Sequence, residues 1–580
     1  MSRRKHERSG SSCCSEHEDA MSDCEQQGLL TPTPEDTEAN TPMTSDDEAN
    51  PCPWTRGELW LAWMSIGLLS FAMALSNQTL TVYTNYATSS FNRQSLISTI
   101  QVVGGILNVV TRPVIAKIAD VVGRFEGFVL SFFLLTVSFV VMAISPNIET
   151  YFVSQILYTV GGLGVQFMIQ VFAADTTGLV YRALFVVLPN MAYLFVPWFA
   201  GPLTTAVLEN STWRWGLAMW AIVIPLFSVP LLTTLLYKRI QIKRTLQTDT
   251  YTQLQPKRFL DQMDARGVLI LATGLSFVFI AIPLASDDNV GWTRPHILMM
   301  LVIGALCLVG FPYYESRVET PLIKMEIFAK SELSKAFVYT VLYCVAFYIY
   351  NPYFFSWLIV VFNMSNTVAS NVSVVYAVTA TAGAVACAIL MRYVKRVKWF
   401  IVGGTITGLV GVALIFHFRT LGSKIWQLVF GQLVDGVGSG FMTGPAQILV
   451  QSHSKESEVA QTTAVFLSSL ALGQVVGDAL SGAIYRGKYS KHLRHNFPNK
   501  NETWIFSVVN DMRVPLKYPI GSPERSGIID AFNEVMRILL IPPLAIFAVL
   551  VLTSFTFKEV KLDEHDSDNQ NRQNGYEPVF

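Results

Sequence analysis

The chain has 580 residues, of which 51% are hydrophobic and only 14% are charged. Soluble proteins carry about 25% charged residues, so this composition indicates a membrane protein. Basic and acidic residues balance to a net charge of zero, which gives no argument for nucleic acid as a partner. The sequence shows no hydrolase, kinase or metalloprotease motif, so we expect neither an enzyme activity nor a bound cofactor.

The N-terminal segment is rich in Ser, Thr, Pro, Glu and Asp and cannot bury enough apolar surface to fold. We therefore predict a disordered cytosolic tail over 1–58. Four of the seven cysteines lie in this tail and three lie inside apolar stretches, so no disulfide framework and no metal centre is expected. A metal site built from Cys13 and Cys14 is the alternative to free cytosolic thiols, which we prefer.

Fourteen apolar stretches of membrane length occupy the rest of the chain. A helix of about 20 residues crosses a hydrocarbon core of about 30 Å. The backbone finds no water in that core, so each crossing must be a helix or a barrel strand, and barrel strands are about half as long. The predicted helices are Leu59–Leu80, Ser95–Ala119, Gly127–Ser145, Tyr151–Ala173, Ala183–Val207, Leu217–Leu236, Val268–Ala285, Ile297–Tyr314, Ala336–Phe362, Val372–Leu390, Val397–Phe418, Ile425–Leu449, Ala460–Tyr485 and Val535–Phe557.

The basic residues of the short loops predict the orientation in the lipid bilayer. With the N-terminus inside, the short inner loops hold 19 lysines and arginines and the short outer loops hold 5. Because such residues favour the cytosol, both termini are predicted to be cytosolic. Sequons at or near the outer loops of this arrangement predict N-glycosylation at Asn210, Asn363, Asn371 and Asn501.

The loop after the second predicted helix carries an acid, two further residues and then Gly-Arg, as Asp120, Gly123 and Arg124. The glycine permits a tight turn, and the charged residues can cap or pair with neighbouring helix ends. Asp175 and Arg182 follow at the next inner hairpin and can extend the same cluster. Such a cluster can latch two helical bundles in one access state and release them in the other. The alternative is a set of ordinary inner-loop charges.

This loop resembles the signature loop of the major facilitator superfamily, although Ala116 replaces its usual first glycine and Phe125 and Glu126 replace its usual basic residues. The resemblance implies an all-α membrane protein with the major facilitator fold. An internal repeat agrees with it, because Gly161–Gly164 in the fourth predicted helix parallels Gly436–Gly440 in the twelfth. We expect these glycines to allow close helix packing.

The repeat predicts two six-helix bundles with two further helices inserted between them. The segment after the thirteenth helix is expected to be a long outer loop, whose aromatic residues either bind a ligand or pack a glycosylated cap against the helix ends. The predicted domains are a cytosolic tail at 1–58, an N-terminal bundle at 59–236, a cytosolic loop at 237–263, two inserted helices at 264–335, a C-terminal bundle at 336–557 that includes the outer loop 486–531, and a cytosolic tail at 558–580.

Fourteen-helix members of this superfamily include drug exporters and fungal siderophore–iron transporters. Of the glycine-rich motif typical of the exporters, only Gly201-Pro202 is present. The resemblance to the siderophore branch covers nearly the whole membrane region and is carried by Thr111–Asp120, Asp175–Arg182, Pro321–Ile323 and Tyr518–Phe532. It implies uptake of an intact ferric siderophore, driven by proton symport, at the plasma membrane.

Other functions stay open at this point. The same fold serves proton-coupled exporters of drugs or metabolites, and similar fungal sequences take up heme or exchange glutathione for protons. A receptor that binds a ligand without moving it is a further alternative. For the location, the alternative is a vacuolar or endosomal membrane.

Charged residues inside predicted helices are candidates for function, because a charge at the bilayer centre costs about 2.5–3.5 kcal/mol. The candidates are Arg112, Asp435 and Asp478. Burial favours the protonated form of a carboxylate, so Asp435 or Asp478 is a candidate for the coupling proton. The alternative is a fixed ion pair, for example with Arg112.

The ninth predicted helix is rich in aromatic residues, and tyrosine hydroxyls supply hydrogen bonds without charge. The alternative is an interfacial aromatic belt, which accounts for the outer members such as Phe354 and Trp357. Pro352 predicts a kink in this helix. The candidates for substrate binding are Tyr339, Tyr343, Tyr348, Tyr350 and Asn351, together with Tyr518 from the outer loop.

Overall fold

The computed structural model describes residues 54–90, 96–177, 179–246, 264–285, 294–318, 321–364, 366–419, 422–455, 458–510 and 513–561. Residues 1–53 of the predicted tail 1–58, residues 562–580 of the predicted tail 558–580, and residues 247–263 of the predicted cytosolic loop lie outside these ranges. The first helix begins at Arg56, inside the segment predicted as a disordered tail. Within the described ranges the structure is helical, apart from turns and one isolated β-bridge between Arg396 and Lys561.

The N-terminal half contains a broken crossing at the position of the fifth predicted helix. A 3₁₀ turn at Leu188–Met191 separates two helices there, and the chain bends by 54° between Leu184–Val196 and Trp198–Asn210. Pro197 lies at the bend, where its missing amide hydrogen interrupts the helical hydrogen bonds. The helices of this half are α1 (Arg56–Ser90), α2 (Leu96–Val121), α3 (Arg124–Ile144), α4 (Ile148–Thr176), α5 (Leu179–Val187), α6 (Ala192–Asn210) and α7 (Trp213–Leu246).

The two inserted helices are α8 (Ala265–Ala285) and α9 (Pro295–Glu315). In α9 only 17% of the most apolar window is buried within the protein, and Val302, Leu306 and Val309 are exposed. An apolar helix with so little buried surface is suited to lipid contact. α9 therefore lies at the periphery of the fold.

The C-terminal half contains a second broken crossing. The predicted ninth helix is two helices separated by a turn at Asn351–Tyr353, and the kink predicted from Pro352 is confirmed. The helices of this half are α10 (Glu326–Ala329), α11 (Ser331–Tyr350), α12 (Phe354–Phe362), α13 (Asn366–Val394), α14 (Lys398–Phe418), α15 (Ile425–Ser452), α16 (Val459–Asn496), α17 (Glu502–Asn510), α18 (Arg513–Leu516) and α19 (Pro523–Ser554).

The segment expected to be the outer loop 486–531 is largely helical. α16 continues to Asn496 because Tyr489 and Leu493, at helical spacing, are buried against residues of α19 such as Phe532. α19 begins at Pro523, well before the predicted start at Val535. Ser522 caps this helix by accepting a hydrogen bond from the Arg525 amide at 3.2 Å. We call the described residues of 497–522, which include α17 and α18, the outer cap.

The C-terminal segment also differs from the predicted tail over its first residues. Phe557 and Val560 are buried, and the Val397 amide donates to the Val560 carbonyl at 3.2 Å. Residues 557–561 therefore pack against the C-terminal half near the start of α14, because the apolar side chains of Phe557 and Val560 are buried there.

Eleven helical segments within the described ranges are long and apolar enough to cross a membrane, with α11 and α12 counted together as one. The bent α5–α6 pair makes a twelfth. The 26-residue α2 and the 28-residue α15 are not among them. The predicted all-α membrane fold is confirmed, while the total of fourteen crossings stays a prediction.

The two halves meet along α2 and α16, and along α13 and the broken α5–α6 crossing. α8 packs into the first of these interfaces, where Phe279 is buried with Val110 of α2 and Val475 of α16. Close packing at the predicted glycines is also confirmed. A Cβ on Gly440 of α15 would lie 2.3 Å from the Ala384 amide nitrogen of α13.

Candidate functional site

A cavity of about 230 Å³ lies in the N-terminal half between α1, α4 and the broken α5–α6 crossing. The residues that line it carry no charged side chain, and its polar groups are amides, hydroxyls and phenols. Such groups orient a ligand by hydrogen bonds without adding net charge. The polar residues that line the cavity are Ser70, Asn77, Tyr158, Thr159, Gln166, Gln170, Asn190 and Tyr193.

The broken crossing supplies one wall of this cavity. Pro189 and Asn190, in the 3₁₀ turn, both line it. Irregular backbone at membrane depth is tolerated where it borders a cavity, and transporters place such breaks beside their substrate. Gln170 connects the cavity with the other half by accepting a hydrogen bond from Gln447 of α15 at 2.8 Å. The cavity therefore borders the interface between the halves.

A second hollow of about 550 Å³ lies at the ends of α6 and α7, beside Glu209 and Arg214. Its lining lies around the turn between α6 and α7, whereas the first cavity borders the interface between the halves at Gln170. Carriers of this type hold their cargo between their two repeats, so we assign the candidate site to the first cavity.

Two of the tyrosines predicted to bind substrate are buried inside the C-terminal half. The Tyr339 hydroxyl is hydrogen-bonded to Thr405 at 2.6 Å. The Tyr343 hydroxyl is hydrogen-bonded to Tyr376 at 2.8 Å and also to Ser439. In this conformation both hydroxyls are used by the bundle, and neither tyrosine lines the cavity.

Asp435 of α15 lies in a buried polar cluster. The carboxylate is 2% exposed and accepts a hydrogen bond from Tyr350, another predicted substrate residue. Arg419 at the end of α14 is fully buried, interacts electrostatically with Asp435, and donates to the Tyr350 carbonyl at 3.3 Å. Its guanidinium also lies 4.4 Å from the centre of the Phe354 ring. Asp435 is thus hydrogen-bonded to Tyr350 and lies within electrostatic range of Arg419, which the sequence had placed in an outer loop.

The sequence does contain a signal for Arg419. This residue directly follows a membrane-length apolar run, and the next predicted helix holds an acid at Asp435. A cation at a helix end and an intramembrane acid in the neighbouring helix are a candidate pair.

The remaining predicted substrate residues, Tyr348, Asn351 and Tyr518, have separate structural roles. Tyr348 of α11 packs against Gly477 of α16, where an added Cβ would lie 2.7 Å from the Tyr348 Cβ. Asn351 stabilises the turn between α11 and α12, since its carbonyl accepts from the Phe354 amide at 3.0 Å. Tyr518 accepts a hydrogen bond from the Trp504 indole at 2.9 Å within the outer cap. The structure does not bring these three residues into one site.

Asp478 differs from Asp435 in its surroundings. It lies on α16 beside Gly477, its side chain is exposed, and it has no hydrogen-bond or ion-pair partner among the described residues. The phenols of Tyr348 and Tyr353 are close enough to interact with it electrostatically. Its carboxylate is therefore available to a proton or a ligand.

Arg112 of α2 connects the two halves. It donates a hydrogen bond to the Leu467 carbonyl of α16, and Ser468 donates to the Val109 carbonyl at 2.9 Å. The predicted alternative of a fixed pair between Arg112 and Asp435 is not what the structure shows. Arg112 instead forms a contact that must change when the halves move.

The predicted gating residues lie around one turn, which marks the end of the molecule that we call the inner end. Gly123 has a φ of 124°, a conformation that glycine adopts without strain. Arg124 then forms an ion pair with Asp175 at 3.0 Å. Arg182 donates to the Ala174 carbonyl at 2.8 Å and so caps the end of α4.

The residues that depart from the signature loop also have partners. Glu126 forms an ion pair with Arg239 of α7, whose guanidinium lies 5.4 Å from the centre of the Phe125 ring. The cation that the loop lacks is thus supplied by another helix. Asp120 lies in the last turn of α2, and its side chain is outside the described part of the structure.

The four predicted glycosylation sites are exposed and lie at the outer end, opposite the Gly123 turn. Each is near a helix end, where sequons can be reached from solvent. Asn210 ends α6, Asn363 caps α12, Asn371 is in the first turns of α13, and Asn501 directly precedes α17.

No group of three His, Cys, Asp or Glu side chains within the described ranges is placed to hold a metal ion. The cysteines that the structure describes, Cys307, Cys344 and Cys387, are free. Cys13 and Cys14 lie outside the described residues.

The sequence profile of the Major Facilitator Superfamily matches residues 64–317 and 336–494. MFS siderochrome iron transporter C of Aspergillus fumigatus is 34% identical over 533 residues, which are 89% of this chain and 86% of that protein. Siderophore iron transporter mirC of Emericella nidulans is 32% identical over 549 residues, which are 92% of this chain and 90% of that protein.

The solved structures support the fold alone. The crystal structure of the human organic anion transporter MFSD10 superimposes with a TM-score of 0.52 at 13% identity, and covers 85% of this chain and 100% of that chain. The profile match and the 34% identical relative confirm the predicted family: the chain belongs to the Major Facilitator Superfamily.

Proposed function

We propose that this protein imports intact ferric siderophore chelates across a membrane, with protons as the coupling ions. The observation that carries the proposal is the 34% identity, over 89% of the chain, to a protein named as a siderochrome iron transporter. Similarity over nearly the whole length includes both halves and the inserted helices, so the comparison is not confined to features that all facilitators share.

The lining of the cavity supports this cargo. A chelate whose ligands balance the charge of the ferric ion presents amide and apolar surface, and uncharged polar side chains such as Asn77, Gln166 and Asn190 can hydrogen-bond it. The volume of about 230 Å³ is below the ~300–1,000 Å³ that is usual for ligand pockets. The chelate therefore also occupies space that opens when the halves separate.

Two carboxylates are candidates for the coupling proton, and their surroundings differ. Asp435 already has the Tyr350 hydroxyl and the charge of Arg419 to stabilise its ionised form. Asp478 has no such partner among the described residues and is exposed beside Tyr348. We assign proton exchange to Asp478 and a structural role to Asp435.

Access to the site is controlled, in this proposal, by contacts between helices. The Arg124–Asp175 pair holds α3 to α4, and Arg112 holds α2 to α16. Rocking of one half against the other changes access to a site between them only if contacts across the interface break. We place Arg112 at that step, with Arg124, Asp175 and Arg182 keeping the N-terminal half rigid.

We place the protein in the plasma membrane with both termini in the cytosol, and a vacuolar or endosomal membrane is the alternative. A fluorescent fusion observed in iron-starved cells tests this location. Signal confined to internal membranes would redirect the proposal to release of stored chelate.

The decisive experiment is expression in iron-starved cells that lack their own siderophore carriers, with a panel of ferric chelates. Labelling the iron and the organic chelator separately shows whether the complex enters intact. We expect equal accumulation of both labels for at least one chelate. No accumulation of any chelate by protein shown at the surface would reject the proposal.

The same cells test the site and the alternative functions. Asn190→Leu should raise the KM for the chelate severalfold, whereas Asn499→Leu, an exposed amide in the outer cap, should leave it unchanged. Lowered drug accumulation would favour an exporter. Uptake of labelled heme without uptake of any siderophore would favour a heme carrier.

A further inference from the structure

Two carboxyl groups meet at the inner end of the inserted helices. Asp264 directly precedes α8 and Glu315 ends α9, and they are 4% and 2% exposed. One oxygen of each has a protein donor. Asp264 Oδ1 accepts from the Gly267 amide at 3.1 Å and from the Tyr314 hydroxyl at 2.9 Å, and Glu315 Oε2 accepts from the Ile323 amide at 3.4 Å.

The other two oxygens lie beside the same residue, Gly267. Asp264 Oδ2 and Glu315 Oε1 are buried and have no hydrogen-bond donor among the described residues. A Cβ built on Gly267 would lie 2.1 Å from the first oxygen and 2.7 Å from the second. Two ionised carboxylates in such a place repel each other, whereas a carboxyl and a carboxylate share one proton in a hydrogen bond. The geometry therefore calls for one proton between them.

Among the described residues, one cation acts on both members of this pair. Lys117 of α2 interacts electrostatically with both Asp264 and Glu315. Arg266 of α8 interacts with the neighbouring Tyr314. One cation from α2 suits a pair that carries a single negative charge, and it does not balance two.

The pair also connects with both halves of the transporter. The segment Pro321–Ile323 follows α9, and Leu322 is fully buried. Lys117 of the N-terminal half donates to the Pro321 carbonyl at 2.7 Å, and Gln461 of α16 donates to the Leu322 carbonyl at 3.1 Å. The Ile323 amide completes the contact by donating to Glu315. One short segment is thus held by the N-terminal half, the C-terminal half and the inserted helices.

We propose that Asp264 and Glu315 form a proton-binding site of the inserted helices, and that the bound proton keeps Pro321–Ile323 in place across the inner end of the interface between the halves. Loss of the proton sets two negative charges against each other, so the ends of α8 and α9 separate and Glu315 no longer holds the Ile323 amide. The inner end is then free to open. This site is distinct from Asp435 and Asp478. Its proton-dependent opening needs no chelate, so it does not depend on the proposed cargo.

The test measures whether the segment becomes accessible as the pH rises. Single reporter cysteines, Leu322→Cys and Ile323→Cys, are introduced one at a time into a chain whose other cysteines are replaced by serine. The protein is alkylated in inside-out vesicles in acidic, neutral and alkaline buffers. Lys455→Cys, at an exposed position near the inner end, gives the intrinsic pH dependence of thiol alkylation, and each rate is divided by it.

We expect the normalised alkylation of both reporters to rise severalfold from acidic to alkaline buffer. Glu315→Gln and the double variant Asp264→Asn/Glu315→Gln should make it flat, because an amide cannot lose a proton. The matched control is Glu332→Gln, a buried acid near the inner end that is paired with Lys335 at 2.9 Å, and it should keep the rise.

A flat profile for both reporters in the unmodified pair would overturn the proposal, and so would an unchanged rise in the double variant. Gel filtration of each fluorescent fusion separates these outcomes from misfolding. Since no substrate is added, failure here leaves the proposed cargo untouched, and failure of the uptake assay leaves this result untouched.

Discussion

Arg112 of α2 donates a hydrogen bond to the main-chain carbonyl of Leu467 in α16, so a charged side chain of one half is anchored on the backbone of the other. Ser468, the next residue along α16, donates to the Val109 carbonyl of α2 at 2.9 Å. The two bonds run in opposite directions across the same interface. Movement of the halves has to break them, and their strength therefore affects which access state is populated.

Replacing Arg112 by Met should shift the ratio of the two access states away from the observed one by about tenfold or more, and so change the rate of chelate uptake, because a hydrogen bond from a charged donor contributes about 1.5–3 kcal/mol. The measurement is initial uptake at equal amounts of surface protein. Ser468→Ala removes a neutral bond of about 1 kcal/mol and should have a smaller effect. Equal uptake by Arg112→Met and wild type would show that this contact does not govern the transition.

Asp478→Asn should abolish or flatten the dependence of uptake on external pH while leaving expression and thermal stability unchanged. The reason is that Asp478 has no bonded partner among the described residues, so its loss removes a proton site without breaking a contact. Uptake is followed from acidic to neutral buffer and compared with Asp478→Glu, which should keep the dependence. An unaltered profile in Asp478→Asn removes this residue from the coupling role.

Asp435→Asn should instead destabilise the protein by about 1–3 kcal/mol, because it weakens the bond from the buried Tyr350 hydroxyl and removes a negative charge that acts on the buried guanidinium of Arg419. The measurement is the midpoint of thermal unfolding in detergent. The double variant Asp435→Asn/Arg419→Met should recover much of the loss, since it removes both charges. A stable Asp435→Asn protein with altered proton dependence would reverse the roles that we give to the two acids.

Tyr518→Phe distinguishes the two interpretations of the outer cap. If the cap is a packed structure, losing the bond from Trp504 lowers its stability by about 1 kcal/mol and leaves the KM for the chelate unchanged. If Tyr518 binds the chelate, KM rises severalfold at unchanged stability. We expect the first result, because the Tyr518 hydroxyl already accepts a hydrogen bond from the Trp504 indole. Parallel measurement of KM and the unfolding midpoint separates the two.

Glycosylation tests the orientation of the membrane spans. Glycosidase treatment should shift the electrophoretic mobility of the wild-type protein, and replacing the exposed Asn501 by Gln should remove part of that shift. A new sequon placed at Lys455, at the inner end, should stay unmodified. Modification at Lys455, or none at any of the four predicted sites, would contradict the predicted orientation.

Much of the fold could be predicted from residue patterns because the bilayer imposes a length and a polarity on every crossing. The helix predicted at Val397–Phe418 is observed at Lys398–Phe418, and Gly123 forms the turn that the Asp-x-x-Gly-Arg pattern predicts. The ends of α16 and α19 could not be predicted in the same way. Hydropathy marks where a helix meets lipid, whereas Tyr489 and Phe532 extend these helices by packing on each other outside the apolar runs.

The sequence by itself determined the class, the family, the apolar spans and the acids that are costly to bury, since each of these is a property of neighbouring residues in one stretch of chain. Only the tertiary structure decided which charges meet. It bonds Asp435 to Tyr350 within range of the Arg419 charge, and it places Glu315 beside Asp264. It also commits the hydroxyls of the predicted substrate tyrosines Tyr339 and Tyr343 to hydrogen bonds inside the C-terminal half. Those partners are distant in sequence, and they come together only because helix packing fixes which faces touch.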